Sequence, residues 1–190
     1  MAYFTKREAR AAAAGARGSR TAYAVLREGL ESYKEHENFD VFLSHSIDDA
    51  DLVLGIMVLL QQQGLRVYVD WIVDTQLSRD SVNKETAAVL RERMKRSSSM
   101  MYIATENASN SKWMPWELGF FDGHHSNQVA VLPLLDYENQ IFVGQEYLAL
   151  YPVVTKHLQE NVINHYVEDR GKKWSHLRNF ARGVPSWRSY

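Results

Sequence analysis

The stretch SNSKWMPWELGFFDGHH, residues 109–125, holds one glutamate, Glu117, among two tryptophans and a run of apolar side chains. Trp113 precedes it by four positions, so a helix would carry both on one face. An indole neighbour lowers local polarity and raises a carboxyl pKa, whereas the positive end of a helix lowers it. A carboxylate placed this way could steady a sugar cation, hold a ribose hydroxyl or act as a nucleophile, as carboxylates do in glycoside hydrolysis. It could equally be a helix-start glutamate with favourable electrostatics and no chemical task. The residues alone leave both readings open. Asp122, His124 and His125 carry metal-ligand chemistry, but adjacent histidines point apart and suit the negative end of a helix, so no metal site is expected.

Which elements would position Glu117? FDVFLSHS (39–46) is short, apolar and rich in β formers, as a strand buried on both faces should be. A helix follows in IDDADLVLGIMVLLQQQG, with Asp48 or Asp49 as N-cap and Gly64 just beyond its end. LRVYVDWI (65–72) reads as a second strand, and the polar run 73–85 leads into the helix TAAVLRERMKR. SMMYIAT (99–105) and VAVLPLL (129–135) are the third and fourth strands, with the Glu117 helix starting near Lys112 between them. Alternating strands and helices predict an α/β fold, a flavodoxin-like parallel sheet with helices on both faces. Residues 1–36 are expected to form an N-terminal helical arm and 37–190 the main domain. Beyond 136, QIFVGQEYLALYPV is read as an edge strand or loop, and TKHLQENVINHYVED as a late helix in a C-terminal helical extension. The tail KKWSHLRNFARGVPSWRSY is basic and aromatic and could pack back on the domain.

Composition narrows the function. Lys and Arg number 22 against 23 Asp and Glu, which gives no support to phosphate-tracking nucleic-acid binding. Cysteine is absent, excluding disulfides, thiolate catalysis and Cys-based zinc sites and fitting a cytoplasmic setting. No apolar run approaches the ~20 residues of a membrane span. The Ala- and Arg-rich N-terminus lacks the uninterrupted apolar core of a secretion signal.

Ligands of open parallel sheets bind outside the carboxyl ends of the strands, where strand order reverses. In a flavodoxin-like order that point lies between the first and third strands. Ser44, His45 and Ser46 leave one of them, and Thr105, Glu106 and Asn107 the other. Asp70 and Trp71 end the second strand, and the first turns of the Trp113–Glu117 helix hang over the same crevice. Four separated stretches thus converge on one mouth.

With FDVFLSHS, LRVYVDWI and SSSMMYIATENASNSKWMPWELGFFDG in this order and spacing, residues 38–135 resemble a bacterial Toll/interleukin-1 receptor (TIR) domain. Trp113-x-x-x-Glu117 matches the tryptophan–glutamate pattern of enzymatic TIR domains, and the chain is most similar to the short TIR proteins of the Thoeris anti-phage system. The resemblance implies cleavage of the nicotinamide–ribose bond of NAD, with NAD as substrate and no cofactor or metal. Glu117 would stabilise positive charge at the anomeric carbon. Ser44, His45 and Ser46 would line the nicotinamide side, Trp71 and Trp113 the walls, with Asp70 and Asp74 as further contributors. Attack by water would give ADP-ribose, and attack from within the molecule a cyclic product. The resemblance also implies self-association and an effector protein activated through the nucleotide. Two other classes compete: a TIR scaffold without chemistry, and a nucleoside deoxyribosyltransferase, which would exchange bases on deoxynucleosides and ignore NAD. A phosphoacceptor receiver is disfavoured, since SHS stands where it needs paired acids and Thr105 where it needs an aspartate.

Overall fold

The structure is a computed structural model and describes residues 2–31, 33, 37–69, 84–138, 140–160 and 162–190. Asp70, Trp71 and Asp74 therefore lie outside the described residues. Strand β1 (Phe4–Thr5) leads into helices α1 (Lys6–Arg17) and α2 (Ala22–Glu31). Then come β2 (Phe39–Ser44), α3 (Ala50–Gln62), β3 (Val67–Val69), α4 (Lys84–Lys95), β4 (Ser97–Ala104), α5 (Trp113–His124) and β5 (Val129–Leu135). The chain closes with β6 (Val153–Gln159), β7 (Val162–Asp169), β8 (Lys173–His176), α6 (Leu177–Ala181) and β9 (Arg188–Ser189).

The sheet runs β3-β2-β4-β5-β6-β7-β8-β9, parallel from β3 to β6 and antiparallel thereafter. The first four alternating strands hence take the expected order, with its reversal between β2 and β4. Right-handed crossovers in opposite directions place α3 on one face and α4 and α5 on the other. Val41, Phe42, Leu43, Met100, Met101, Val131 and Leu132 are fully buried, because a parallel sheet covered on both sides has no solvent face. Each such aliphatic side chain contributes about 1.5–3 kcal/mol of burial.

The N-terminal helices pack on this frame. Ala9 and Ala13 of α1 are buried, and α1 lies along α3 with Gly55 against the Ala9 backbone. Strand β1 enters the sheet where β5 and β6 part. These two pair only at Val131 and Val153, after which Phe4 and Thr5 pair with Leu134 and Leu135, and Ala2 bridges Lys156. Thr5 and Glu8 form a capping box for α1, and Lys156 Nζ donates to Glu8 Oε1 at 2.6 Å. Burial opposes ionisation of Glu8, but Lys156 and the Thr5 donors outweigh it and hold its pKa below the ordinary 4.5. A depressed carboxyl pKa adds stability that is present above the unfolded value and is lost as pH falls through the folded one. Lys156→Met is thus expected to lower the melting temperature near neutral pH and to make its acid limb shallower, the difference between the two proteins closing as pH falls through the folded pKa of Glu8. Superimposable limbs for the two proteins would show that the pair does not couple to folding.

The C-terminal third departs from expectation. Residues 155–169, read as a helix, form the β6–β7 hairpin, and the only helix described after it is the five-residue α6. Val153, Val154, Thr155, Val162, Ile163 and Val167 are β-branched and favour extended backbone. The helix-like mixture of charge and apolarity arises because the inner part of the hairpin buries Thr155, Lys156 and Glu168. Of the two readings for segment 140–150 the loop is the one found, ending in a 3-10 turn at Glu146–Leu150. The tail does fold back, with Phe180 buried and Trp187 packed edge-on to it at 6.1 Å.

Candidate functional site

Strand β2 ends at Ser44, and its register partner across the sheet is Tyr102. Paired residues project to the same face, the face that α5 covers. Ser44 Oγ donates to Glu117 Oε2 at 2.6 Å, the length of a charge-assisted O–H···O⁻ bond. The two side chains sit 73 residues apart in sequence and are almost closed to water, Ser44 being 1% and Glu117 2% exposed. The chain then turns out of the strand through His45 and Ser46, both buried. His45 Nδ1–H donates to the Leu43 carbonyl at 2.8 Å. Ser46 caps the short 3-10 turn Ile47–Asp49 that opens α3.

Helix α5 begins where expected. Ser111 Oγ accepts from the Met114 amide, and Pro115 lies in the first turn, where its missing N–H costs no helical bond. Trp113 is buried, and no acceptor among the described residues meets its indole N–H. Trp116 continues an aromatic row, edge-on to Trp113 and stacked on Phe120, with the Arg91 guanidinium over both Trp116 and Phe120. Trp113 thus shares the buried side of α5 with Glu117, while Trp116 packs along the flank against α4. At the helix end Asp122 accepts from the Tyr151 hydroxyl, and no metal-binding group of three exists among the described residues.

Two features of the mouth were not foreseen. Asp49, read as a helix N-cap, makes no capping bond; its carboxylate accepts from Thr105 Oγ1 at 2.6 Å and Asn107 Nδ2 at 2.7 Å. It ties the end of β2 to the loop that feeds α5, and it is buried at 5% exposure. The only signal for this role was an acid and two donors at the two strand ends that the topology joins. The second feature is Tyr102, whose hydroxyl donates to Gln145 Oε1 and faces the Tyr147 hydroxyl. Burial, the Tyr147 contact and the nearby Glu117 charge all raise the Tyr102 pKa, so the phenol stays protonated. Gln145 and Tyr147 come from a loop that carries no motif, so only packing could bring them here. Beside Thr105 a cavity of about 580 Å³ opens at the carboxyl ends of β4 and β5.

The arrangement is an open α/β sheet with a buried carboxylate at its switch point, the place where this class of protein binds and transforms ligands. No protein-family model matches the chain. It is 41% identical over 165 residues to a Bacillus cereus (strain MSX-D12) protein named as a probable 3' cyclic ADP-D-ribose synthase, ThsB', covering 83% of each chain. It is also 31% identical over 83 residues to a Cytobacillus dafuensis protein provisionally named cyclic ADP-D-ribose synthase TIR2, covering 43% of this chain and 22% of that one. The chain belongs to the Thoeris-type TIR proteins of the ThsB' kind. Among the described residues no helix is long and apolar enough to cross a membrane.

Proposed function

We propose that this protein cleaves NAD between nicotinamide and ribose and closes the remaining ADP-ribose into a cyclic product. The observation that carries the reading is the Ser44–Glu117 bond, a carboxylate held by its neighbour at a sheet switch point and shielded from water. As the C–N bond breaks, its electron pair leaves with neutral nicotinamide and positive charge grows at the anomeric carbon. A fixed carboxylate in a poorly hydrated site stabilises that charge more than water would, because its orientation costs nothing at the moment of reaction. A ribose hydroxyl elsewhere on the molecule then forms the new C–O bond and releases its proton to solvent. Exclusion of water favours this closure over hydrolysis.

Trp113 supplies an apolar wall and His45 a hydrogen-bonding edge for the carboxamide of nicotinamide. Because Glu117 and Ser44 are covered, the ribose must part the side chains above them to react. The relative ThsB' is named for a 3' cyclic product, and the same linkage is proposed for the closure here. Self-association and a separate effector that reads the nucleotide belong to the same proposal, on family grounds. Asp70 and Trp71 complete the proposed substrate contacts.

Mass spectrometry of protein incubated with NAD tests the reading. The expected result is one nicotinamide per NAD consumed and a product one water lighter than ADP-ribose. Linear ADP-ribose alone would remove the cyclase step. Base exchange on deoxynucleosides with NAD untouched would replace the whole assignment.

A further inference from the structure

A second ionisable group is buried far along the chain from Glu117. Glu168 on β7 is 3% exposed and lines two cavities, of about 380 Å³ and about 240 Å³. Its Oε1 accepts from Thr155 Oγ1 at 2.6 Å and from His157 Nε2. Burial disfavours its charge, but Thr155, Tyr190 and His157 outweigh that and keep its pKa below the usual carboxylate range. The Tyr190 hydroxyl is near enough to favour the charged carboxylate but does not reach hydrogen-bond geometry with Oε2, which has no partner among the described residues. Buried carboxylate oxygens are rarely left so unless a water or ligand completes them.

The larger cavity offers the rest of a site. Tyr3 stands on its wall close enough for Glu168 to help burial raise its pKa, so the phenol remains a donor. Phe142 stands edge-on to Tyr3 at 6.4 Å, and the exposed Arg170 is part of the lining. Arg170 is exposed and makes no ion pair among the described residues, and the remaining acid of the lining, Glu146, is exposed and screened by solvent. The volume falls in the range of small-molecule pockets, about 300–1,000 Å³. An anion alone would leave Glu168 unsatisfied, and a cation alone would be repelled by Arg170. The occupant must carry donors at one end and negative charge at the other. Ribose hydroxyls are recurrent partners of a carboxylate, and phosphate of a guanidinium.

We propose that this cavity is a second small-molecule site, taking a ribonucleotide whose ribose hydroxyls meet Glu168 and Tyr3 and whose phosphate meets Arg170. The base packs against Phe142. One wall of the site is Gln145, which also holds the Tyr102 hydroxyl next to Glu117, so the occupant lies one hydrogen-bond link from the reaction site. The ribonucleotide could be the adenosine half of a dinucleotide or a free mononucleotide, since both present the same groups. The inference does not rest on NAD turnover, and its test reads binding alone.

Isothermal titration with AMP, 2',3'-dideoxy-AMP and adenosine, on the full chain, is the experiment. AMP is expected to bind, and dideoxy-AMP to bind at least about tenfold more weakly. Arg170→Ala, at an exposed turn, should weaken AMP severalfold and leave adenosine unchanged. Glu168→Gln should weaken AMP about tenfold with the melting temperature monitored, while Glu117→Gln binds AMP as the parent does. Titrating NAD into the Glu117→Gln protein separates the sources. Competition with AMP that is weakened by Arg170→Ala marks the dinucleotide, and AMP binding without competition marks a free mononucleotide. Absence of AMP binding at millimolar concentration, equal binding of the dideoxy analogue, or loss of binding with Glu117→Gln but not Arg170→Ala would overturn the proposal.

Discussion

Glu117→Gln is expected to lower nicotinamide release from NAD by roughly 10²–10⁴-fold, the usual consequence of removing one positioned charge from a transition state. The substitution keeps the shape of the side chain and an oxygen that can accept from Ser44, but it removes the negative charge that, in the proposed mechanism, stabilises the anomeric carbon. Melting temperature should change little, since a buried carboxylate becomes a buried amide that needs less desolvation. Ser44→Ala separates orientation from charge. Losing one hydrogen bond to a charged group costs about 1.5 kcal/mol or more, so turnover should fall about tenfold while the carboxylate survives. Nicotinamide release by the Glu117→Gln protein within a few fold of the parent would end the assignment of Glu117 as the charge-stabilising group.

The largest effect on stability is expected from Gly55→Ala. Alanine is normally the better helix residue by about 1 kcal/mol, and Gly55 lies inside α3. Here the rule reverses. A Cβ at position 55 would stand 1.9 Å from the Ala9 carbonyl oxygen and 2.7 Å from its Cα. Both atoms are backbone of a packed helix, so relief requires α1 to move as a body and lose its buried contacts. Overpacking costs typically 1–3 kcal/mol and occasionally more. For a clash with main chain a net loss of about 3 kcal/mol is expected, a fall of about 6–12 °C in melting temperature at 2–4 °C per kcal/mol. Gly15→Ala in α1 meets nothing within 4 Å and is the control, expected to be neutral or slightly stabilising. Equal melting temperatures for the two variants would mean that α1 does not seat on α3 as closely as the distance implies.

Both expectations bear on what could be read before any coordinates. The alternation of strands and helices from residue 39 to 135 was legible because β5 is apolar throughout and β2 and β4 carry unbroken apolar runs, Val41–Leu43 and Met100–Ala104. That is possible only for strands covered on both faces. The start of α5 was legible for a similar reason, from the loop ENASNSK before it and the four-residue step from Trp113 to Glu117. By contrast, the β6–β7 hairpin was misread. Lys156 and Glu168 look like the polar face of a helix until their partners Glu8 and Thr155 are in place, and those partners lie 148 and 13 residues away.

The same distinction holds at the candidate site. Sequence by itself determined that a lone glutamate would sit on a helix following the third main strand, four residues after a tryptophan, and that its mouth would gather residues 44–46 and 105–107. Those are consequences of local periodicity and of the handedness of crossovers, which act along the chain. Tertiary structure alone decided that Ser44 would hold the carboxylate, that Asp49 would tie two strand ends instead of capping a helix, and that Gln145 would reach Tyr102. Side-chain partners depend on register and packing between elements distant in sequence. No local pattern encodes that pairing, because each partner alone satisfies its neighbours equally well elsewhere.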